Sequence, residues 1–200
     1  MKQLLATVKE LKESEVGSLV KTRLKEFKEN KDWFSELCFC LMTANWKAEE
    51  SIKLQGELCK EGFCSWNEKK LARFLKQKGH RFWPQRAERI VLARKYKNIK
   101  EILKKEKEPR EWLVKNIKGL GYKESSHFLR NVGYEKYAIL DRHILNVLSE
   151  AKIITKPKTL TKNKYLEIEK TLQQIADKLK ISQAELDLYL WCMKTGKVLK

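Results

Sequence analysis

A glycine-containing turn near the middle of the chain carries a lysine at its downstream end. The segment IKGLGYK spans residues 117–123, with Gly119 and Gly121 in the turn and Lys123 two residues after the second glycine. Glycine allows positive φ and leaves backbone N–H groups uncovered at the start of a helix, where the macrodipole is positive. Such a turn can hold a phosphate without reading the base sequence. A plain corner between two packed helices would show the same pattern, so the turn alone leaves both interpretations open.

The position of Lys123 favours nucleophilic chemistry. It lies in the first turn of a predicted helix, where a cation is disfavoured, and partial burial favours the neutral amine further. A neutral lysine amine is the nucleophile that Schiff-base chemistry needs. Asp141 follows Lys123 after 141 − 123 = 18 residues, ends the apolar run 137–140 and is a natural N-cap for the next helix. Taken singly, Lys123 is also explained as a surface lysine and Asp141 as a helix cap only.

The net charge indicates a polyanionic partner. The 200 residues include 44 Lys and Arg against 26 Asp and Glu, a formal charge of +18 at pH 7, and the pI is about 9.7. Nucleic acid is the partner expected for such a basic chain. Hydrophobic residues make up 42% of the chain, which excludes a disordered protein, and no apolar run reaches the length of a membrane span. Because the N-terminus lacks a signal-peptide pattern, we expect a cytoplasmic protein.

The spacing of apolar residues predicts an all-α fold. These residues recur every three or four positions, and the 8 Gly and 3 Pro are too few for a chain with many strand turns. The five cysteines match the spacing of neither a zinc site nor an iron–sulfur cluster, so we expect reduced, mostly buried thiols. The predicted helices include 47–60, 67–77, 86–96, 99–104, 110–117 and 122–131.

Taken together, these motifs resemble the helix–hairpin–helix DNA glycosylase superfamily. In that superfamily a hairpin such as IKGLGYK is followed by an aspartate, here Asp141 in AILDRHIL. The segments MTANW, KGHRFWPQRAERIVLAR, NIKGLGYKESSHFLRNVGY and LDLYLWCMKTGKVLK are similar to the small archaeal-type 8-oxoguanine DNA glycosylases, the second family with this activity. The likeness covers nearly the whole chain. That family also lacks the iron–sulfur cysteines of the endonuclease III branch.

The resemblance implies a helix–hairpin–helix DNA glycosylase fold, all-α, with two helical subdomains and a cleft between them. Residues 1–33 and 141–200 would form one subdomain. Residues 34–140 would form a helical barrel that contains the helix–hairpin–helix at 110–131. The expected partner is double-stranded DNA containing 8-oxoguanine, bound by a monomer that associates with the nucleoid through DNA.

The activity implied by the resemblance is base excision followed by strand nicking. The damaged nucleotide leaves the base stack, and Lys123 attacks its C1′, displaces the oxidised base and forms an imine. Asp141 would stabilise the cationic sugar and take part in the proton relay, and loss of a proton at C2′ would give β-elimination. The chemistry needs no metal or organic cofactor. At most, the superfamily suggests a monovalent cation on the main-chain carbonyls of Lys115, Ile117 and Leu120.

Three residues match the family's base-recognition positions. Phe82 and Trp191 would sandwich the extruded base, and the C-terminal Lys200 would help to distinguish 8-oxoguanine from guanine. Because the two bases share a Watson–Crick edge, discrimination must use the N7–H donor or the C8 carbonyl of the lesion. From periodicity alone, the two aromatic residues are equally explained by core packing and Lys200 by a frayed basic tail.

A further group of residues is expected near DNA. Asn45, in MTAN, matches a superfamily position whose side chain enters the duplex or contacts the base left behind, although a simple helix N-cap is an alternative. His80, Arg81 and Arg86 flank the predicted base-stacking residue, and arginine side chains suit phosphates.

The sequence leaves other functions open. A glycosylase of the same superfamily for another damaged or mismatched base would keep the lysine and the aspartate but have a different pocket. A non-enzymatic helix–hairpin–helix DNA-binding protein would keep the glycines and the positive charge without needing either residue. An RNA-binding protein is disfavoured because no RNA-binding motif is evident.

Overall fold

The computed structural model describes all residues 1–200 and confirms the all-α prediction. It contains twelve α-helices and one short 3-10 helix and no β-strand. None of the helices is long and apolar enough to cross a membrane. The helices are α1 (Lys2–Glu13), α2 (Glu15–Glu29), α3 (Trp33–Thr43), α4 (Ala48–Ser65), α5 (Glu68–Gln77), α6 (Trp83–Ala93), the 3-10 helix Arg94–Tyr96, α7 (Ile99–Lys105), α8 (Pro109–Asn116), α9 (Tyr122–Asn131), α10 (Arg142–Glu150), α11 (Lys162–Leu179) and α12 (Gln183–Thr195).

The chain forms two compact units, residues 1–30 with 129–200, and residues 31–128. The first unit contains α1, α2, α10, α11 and α12, and the last residues of α9. Helix α12 packs against the four other complete helices of this unit. Its side chains Leu188, Tyr189 and Leu190 are fully buried, so the apolar surface of α12 supplies much of the core of this unit.

The second unit, residues 31–128, is built around α3. Every residue of α3 except Ser35 is buried, as the apolar sequence WFSELCFCLMT predicts for a helix that runs through a core. Helix α3 packs against α4, α6 and α7, while α5 packs against α6 and α7 against α8. The sequence-based domain boundaries, 33/34 and 140/141, stay predictions, and the two compact units meet at 30/31 and 128/129.

Two predicted helices have different ends in the structure. Helix α4 continues to Ser65, five residues past its predicted end, and bends at Cys59, where φ is 47°. Helix α6 begins at Trp83 rather than Arg86, because Pro84 lies in its first turn, where a proline ring fits without loss of a hydrogen bond. The predicted segment 86–96 therefore contains most of α6 followed by the separate 3-10 helix.

All five cysteines are free in the structure. Cys38, Cys40 and Cys192 are buried, Cys64 is half-buried and Cys59 is exposed. Burial raises the pKa of the Cys38 thiol well above its ordinary value. The buried thiols therefore act as small apolar side chains in the core.

Candidate active site and DNA-binding surface

The turn between α8 and α9 is a short hairpin, residues 117–121. The N–H of Leu120 donates to the carbonyl of Ile117 at 3.2 Å, and the N–H of Ser125 donates to the carbonyl of Gly121 at 2.9 Å, which makes Gly121 the residue that opens α9. Of the two glycines only Gly119 has positive φ, +99°. Gly121 is exposed and leaves the start of α9 open to solvent.

The side chain of Arg89, on α6, lies directly against the hairpin. A Cβ at position 119 would lie 2.5 Å from the Arg89 Cδ. Positive φ therefore favours glycine there, and a larger residue would also displace the Arg89 side chain. On the outer side of the hairpin, Lys118 forms an exposed ion pair with Glu88, Nζ to Oε1 2.6 Å. The hairpin thus carries exposed positive charge beside open backbone N–H groups, a combination that binds phosphate.

Lys123 lies in the first turn of α9, where the sequence predicts it, and its side chain is about one-third accessible (30%). Its Nζ lies 3.0 Å from Oε1 of Glu124, whose side chain is 17% exposed. The amine is thus accessible at the start of a helix and has an acidic partner beside it. Nothing in the sequence pattern marks Glu124 as that partner.

Asp141 is the N-cap of α10, as predicted. Its Oδ1 accepts the N–H of His143 at 2.8 Å and the N–H of Ile144 at 2.9 Å, so the carboxylate has a fixed orientation at the helix N-terminus. The preceding segment is also held, because Tyr165 donates its hydroxyl to the carbonyl of Ala138 at 2.6 Å. One carboxylate oxygen of Asp141 makes both cap bonds, which leaves the other oxygen for further interactions.

A second carboxylate interacts electrostatically with Asp141. Asp187, on α12, is buried and forms an ion pair with Arg130. Burial raises the pKa of Asp187 to about 6, and the neighbouring Asp141 raises it too, while Arg130 opposes both. Burial affects the pKa of Asp187 more than the ion pair does. A charge that is moved out of water loses more solvation free energy than the attraction of one partner restores.

The loop before α6 carries Phe82 and is fixed by the buried His80, which is 1% exposed. Nδ1 of His80 accepts the Phe82 N–H at 3.2 Å, so its Nε2 carries the proton and donates to the carbonyl of Met42 at 3.0 Å. The ring of Trp46 packs against His80 with centroids 4.0 Å apart. Burial lowers the pKa of His80, so the neutral imidazole holds Phe82 half-exposed at the end of this loop.

Arg86 is buried as well, at 4% exposure, and contacts two of the predicted functional segments. Its Nη2 donates to the carbonyl of Ala44 in the MTAN segment, and its guanidinium lies 5.6 Å from the centroid of the Phe82 ring. Burial lowers the pKa of Arg86 to about 10; the nearby Arg89 also lowers it, whereas the Glu124 carboxylate raises it.

Asn45 and Arg81 are the exposed members of the predicted DNA-binding group. Asn45 has φ of 59°, a left-handed conformation that asparagine tolerates better than most residues, and it lies between α3 and α4. It does not cap a helix, since Lys47 is the residue before α4. The guanidinium of Arg81 lies 5.1 Å from the centroid of the Phe82 ring. His80 and Arg86, in contrast, are buried, and they bond to the backbone of Phe82 and of Ala44 beneath these exposed residues.

Trp191 and the C-terminus belong to the unit that contains Asp141. Trp191 is half-buried, and His143 meets its ring edge-on with centroids 4.9 Å apart. Because His143 is the second residue of α10, this contact places the indole beside the helix that Asp141 caps. Lys200 is half-buried and lies four residues beyond Gly196, which ends α12 with φ of 69°.

The monovalent cation that the superfamily resemblance suggests in the hairpin stays a prediction. The carbonyl of Ile117 accepts one hydrogen bond, from Leu120, and a carbonyl oxygen has a second lone pair for a ligand. No group of three or more His, Cys, Asp or Glu side chains could hold a metal ion. Main-chain carbonyls of Lys115, Ile117 and Leu120 thus stay the predicted ligands of a monovalent ion.

Comparison with known proteins gives one consistent family. The family model described as 8-oxoguanine DNA glycosylase, with a helix–hairpin–helix, matches residues 20–181. A curated relative from Methanocaldococcus jannaschii, named 8-oxoguanine DNA glycosylase/AP lyase, is 51% identical over 98% of this chain and 99% of its own length. A relative of the same name from Thermotoga maritima is 42% identical over 99% of both chains.

Solved structures agree with these relatives. The crystal structure of the Methanocaldococcus jannaschii 8-oxoguanine glycosylase/lyase, in complex with a 15mer DNA containing 8-oxoguanine, matches with a TM-score of 0.96 and 50% identity, covering 99% of this chain and 100% of that one. The crystal structure of the Thermotoga maritima 8-oxoguanine DNA glycosylase matches with a TM-score of 0.92 and 41% identity, covering 100% of this chain and 99% of that one.

Proposed function

Because this chain belongs to the 8-oxoguanine DNA glycosylase family, we propose that it excises 8-oxoguanine from DNA and then cleaves the strand as an AP lyase. The observation that carries the proposal is the position of Lys123, an accessible amine in the first turn of α9 directly after the hairpin. Its relatives of the same length are named for both activities. The enzyme would act where cellular DNA lies, in the nucleoid.

Lys123 is the proposed nucleophile of both steps. Its neutral Nζ attacks C1′ of the extruded nucleotide, and the C1′–N9 bond breaks with its electron pair leaving on the base, which takes up a proton. Opening of the sugar ring gives an imine between Nζ and C1′. Loss of a C2′ proton then expels the 3′ phosphate by β-elimination and nicks the strand.

Asp141 is the proposed electrostatic partner of this chemistry. A carboxylate stabilises the positive charge that develops on the sugar as the base departs. The two N–H bonds at the start of α10 fix its orientation before the substrate binds. A preorganised carboxylate needs no rearrangement when the positive charge develops in the transition state. Such groups therefore lower the activation barrier of base release.

Base recognition is proposed for Phe82, Trp191 and Lys200. Phe82 is held by a buried histidine, and Trp191 is braced by His143, so each ring is fixed at a half-exposed position. Fixed aromatic faces bind a flipped base by stacking. Lys200 would add a polar contact to the lesion.

DNA binding is proposed for the hairpin, Gly119 to Gly121, together with Asn45 and Arg81. The hairpin would bind backbone phosphate through its N–H groups, and the two exposed side chains would contact the duplex. His80 and Arg86 would act on DNA indirectly, because their burial leaves them to hold the Phe82 loop and the MTAN segment.

A borohydride trapping experiment tests the proposal. A duplex with a single 8-oxoguanine is incubated with the protein, and borohydride reduces the imine. The covalent adduct is then quantified on a denaturing gel. We expect an adduct with wild type and none with Lys123→Gln. Lys118→Gln is the matched control, because it removes an equal charge from the hairpin but leaves the nucleophile in place.

The choice of DNA separates the remaining functions. Undamaged duplex should give no adduct, and a duplex with an oxidised pyrimidine should compete poorly. An adduct that forms preferentially with the oxidised pyrimidine would assign the enzyme to another lesion. Tight DNA binding without any adduct or base release in wild type would leave only a DNA-binding protein.

A further inference from the structure

Arg86 links two segments that recognise the substrate in the proposed function. Its Nη2 donates to the carbonyl of Ala44, immediately before Asn45, and its guanidinium lies against the Phe82 ring. Nε of the same side chain is buried and has no hydrogen-bond partner. An arginine is therefore held at fixed geometry between the base-stacking loop and the MTAN segment, with one donor unused.

Glu124 links this arginine to the nucleophile. Its Oε1 lies 3.0 Å from Nζ of Lys123. Its Oε2 points back over the hairpin, since it is the atom nearest to a Cβ built on Gly121, at 3.4 Å. The carboxylate also interacts electrostatically with Arg86. Only 17% of the Glu124 side chain is exposed, so solvent screens these interactions less than on an open surface.

We propose that Glu124 is a positioning residue that orients the Lys123 amine. The inference rests on the proposed function of Lys123 and adds a residue to it. The carboxylate accepts a charge-assisted hydrogen bond from Nζ, and such a bond fixes the direction of a flexible lysine side chain.

The proposal predicts a lower rate of excision with unchanged DNA binding. Without the Glu124 carboxylate, Nζ loses its hydrogen-bond partner, so the amine is aligned with C1′ in fewer of the bound complexes. DNA binding should not change, because the hairpin backbone stays in place.

Other charged groups near α9 stay in place in this variant. Arg89 lies against the hairpin, and the Lys118–Glu88 pair lies on its outer side. Glu111 accepts the Tyr122 hydroxyl, and Arg110 lies over the Tyr122 ring. Because none of these charges changes, a lower rate reports on Glu124.

The test measures single-turnover excision from an 8-oxoguanine duplex at saturating enzyme. For Glu124→Gln we expect a rate lower by about tenfold to a hundredfold. DNA affinity, measured by fluorescence anisotropy, should not change.

Control variants separate a positioning role from a structural one. Glu124→Asp keeps the charge on a shorter side chain, so its rate should fall between those of Glu124→Gln and wild type. Glu167→Gln removes the partner of Lys164 on α11, an exposed pair of the same type, and should match wild type in rate and in DNA affinity. If Glu124→Gln does not fold, Glu124→Asp decides, and a wild-type rate in that variant overturns the proposal.

Two results with Glu124→Gln overturn the proposal. One is a wild-type rate, and the other is a lower rate accompanied by weaker DNA binding, which would indicate general damage to the helix. Failure of the proposed function gives a different result, because wild type itself would then form no borohydride-trapped adduct.

Discussion

Replacement of Gly119 by alanine would test the shape of the hairpin, because two features of the structure oppose a side chain there. The φ of +99° strains any L residue, and a Cβ would lie 2.5 Å from Cδ, 2.8 Å from Nε and 2.9 Å from Nη1 of Arg89. Positive φ costs about 1–2 kcal/mol. Displacing the flexible Arg89 side chain from its rotamer adds about 0.5–1 kcal/mol. We expect the variant to lose about 2 kcal/mol of unfolding free energy, or about 4–8 °C in Tm.

Two other glycines provide matched controls for this prediction. Gly121→Ala places a Cβ no closer than 3.4 Å to another heavy atom, outside the positive-φ region, so its Tm should stay within about 2 °C of wild type. Gly79 has φ of +75° and open space around it, so Gly79→Ala isolates the backbone strain and should fall between the other two variants.

Differential scanning calorimetry measures these three Tm values, and anisotropy with an undamaged duplex measures DNA affinity. If the hairpin binds phosphate through its backbone, Gly119→Ala should also bind DNA more weakly than Gly79→Ala, which lies outside the hairpin. Equal Tm values for Gly119→Ala and Gly121→Ala would contradict this prediction, since only the former combines positive φ with a close contact.

Two aspartates give further predictions. Asp141→Asn keeps an equally good helix cap, so it should melt like wild type but lose excision, whereas Asp141→Ala should lose about 1 kcal/mol as well; thermal melts and single-turnover assays separate the two, and an active Asp141→Asn would contradict the catalytic role. Asp187 has a folded pKa of about 6 against an ordinary value of 3.8, so its contribution to stability is complete below about pH 4 and falls as the pH rises to about 6, by about 3 kcal/mol. Urea unfolding of wild type and Asp187→Asn at pH 4 and pH 7 should show this difference between the two proteins, and parallel pH dependence would contradict it.

Local sequence signals predicted the parts of the molecule that depend on neighbouring residues. Helix α9 has the predicted bounds, Asp141 caps α10 as expected, and the apolar sequence of α3 is buried. Each feature follows from helix propensity, capping or periodicity within a few residues. The family resemblance then related the hairpin, the lysine and the aspartate to one chemistry, because spacing alone left simpler interpretations open.

The sequence did not predict contacts between residues that are far apart in the chain. Arg89 fills the space beside Gly119, Asp187 pairs with Arg130, and His143 meets Trp191. These partners lie on different elements, and no periodic pattern relates their positions. The burial of Arg86 was also unpredictable, because an arginine is usually exposed unless its donors find partners in the fold.

The distribution of the thiols makes the enzyme convenient for spectroscopy. No covalent cross-link holds the chain, and of its five cysteines only Cys59, at the bend of α4, is exposed. A maleimide fluorophore would therefore react first at one known position, without prior removal of the buried thiols. Paired with a dye on the DNA, it would report the binding and release of each duplex in real time.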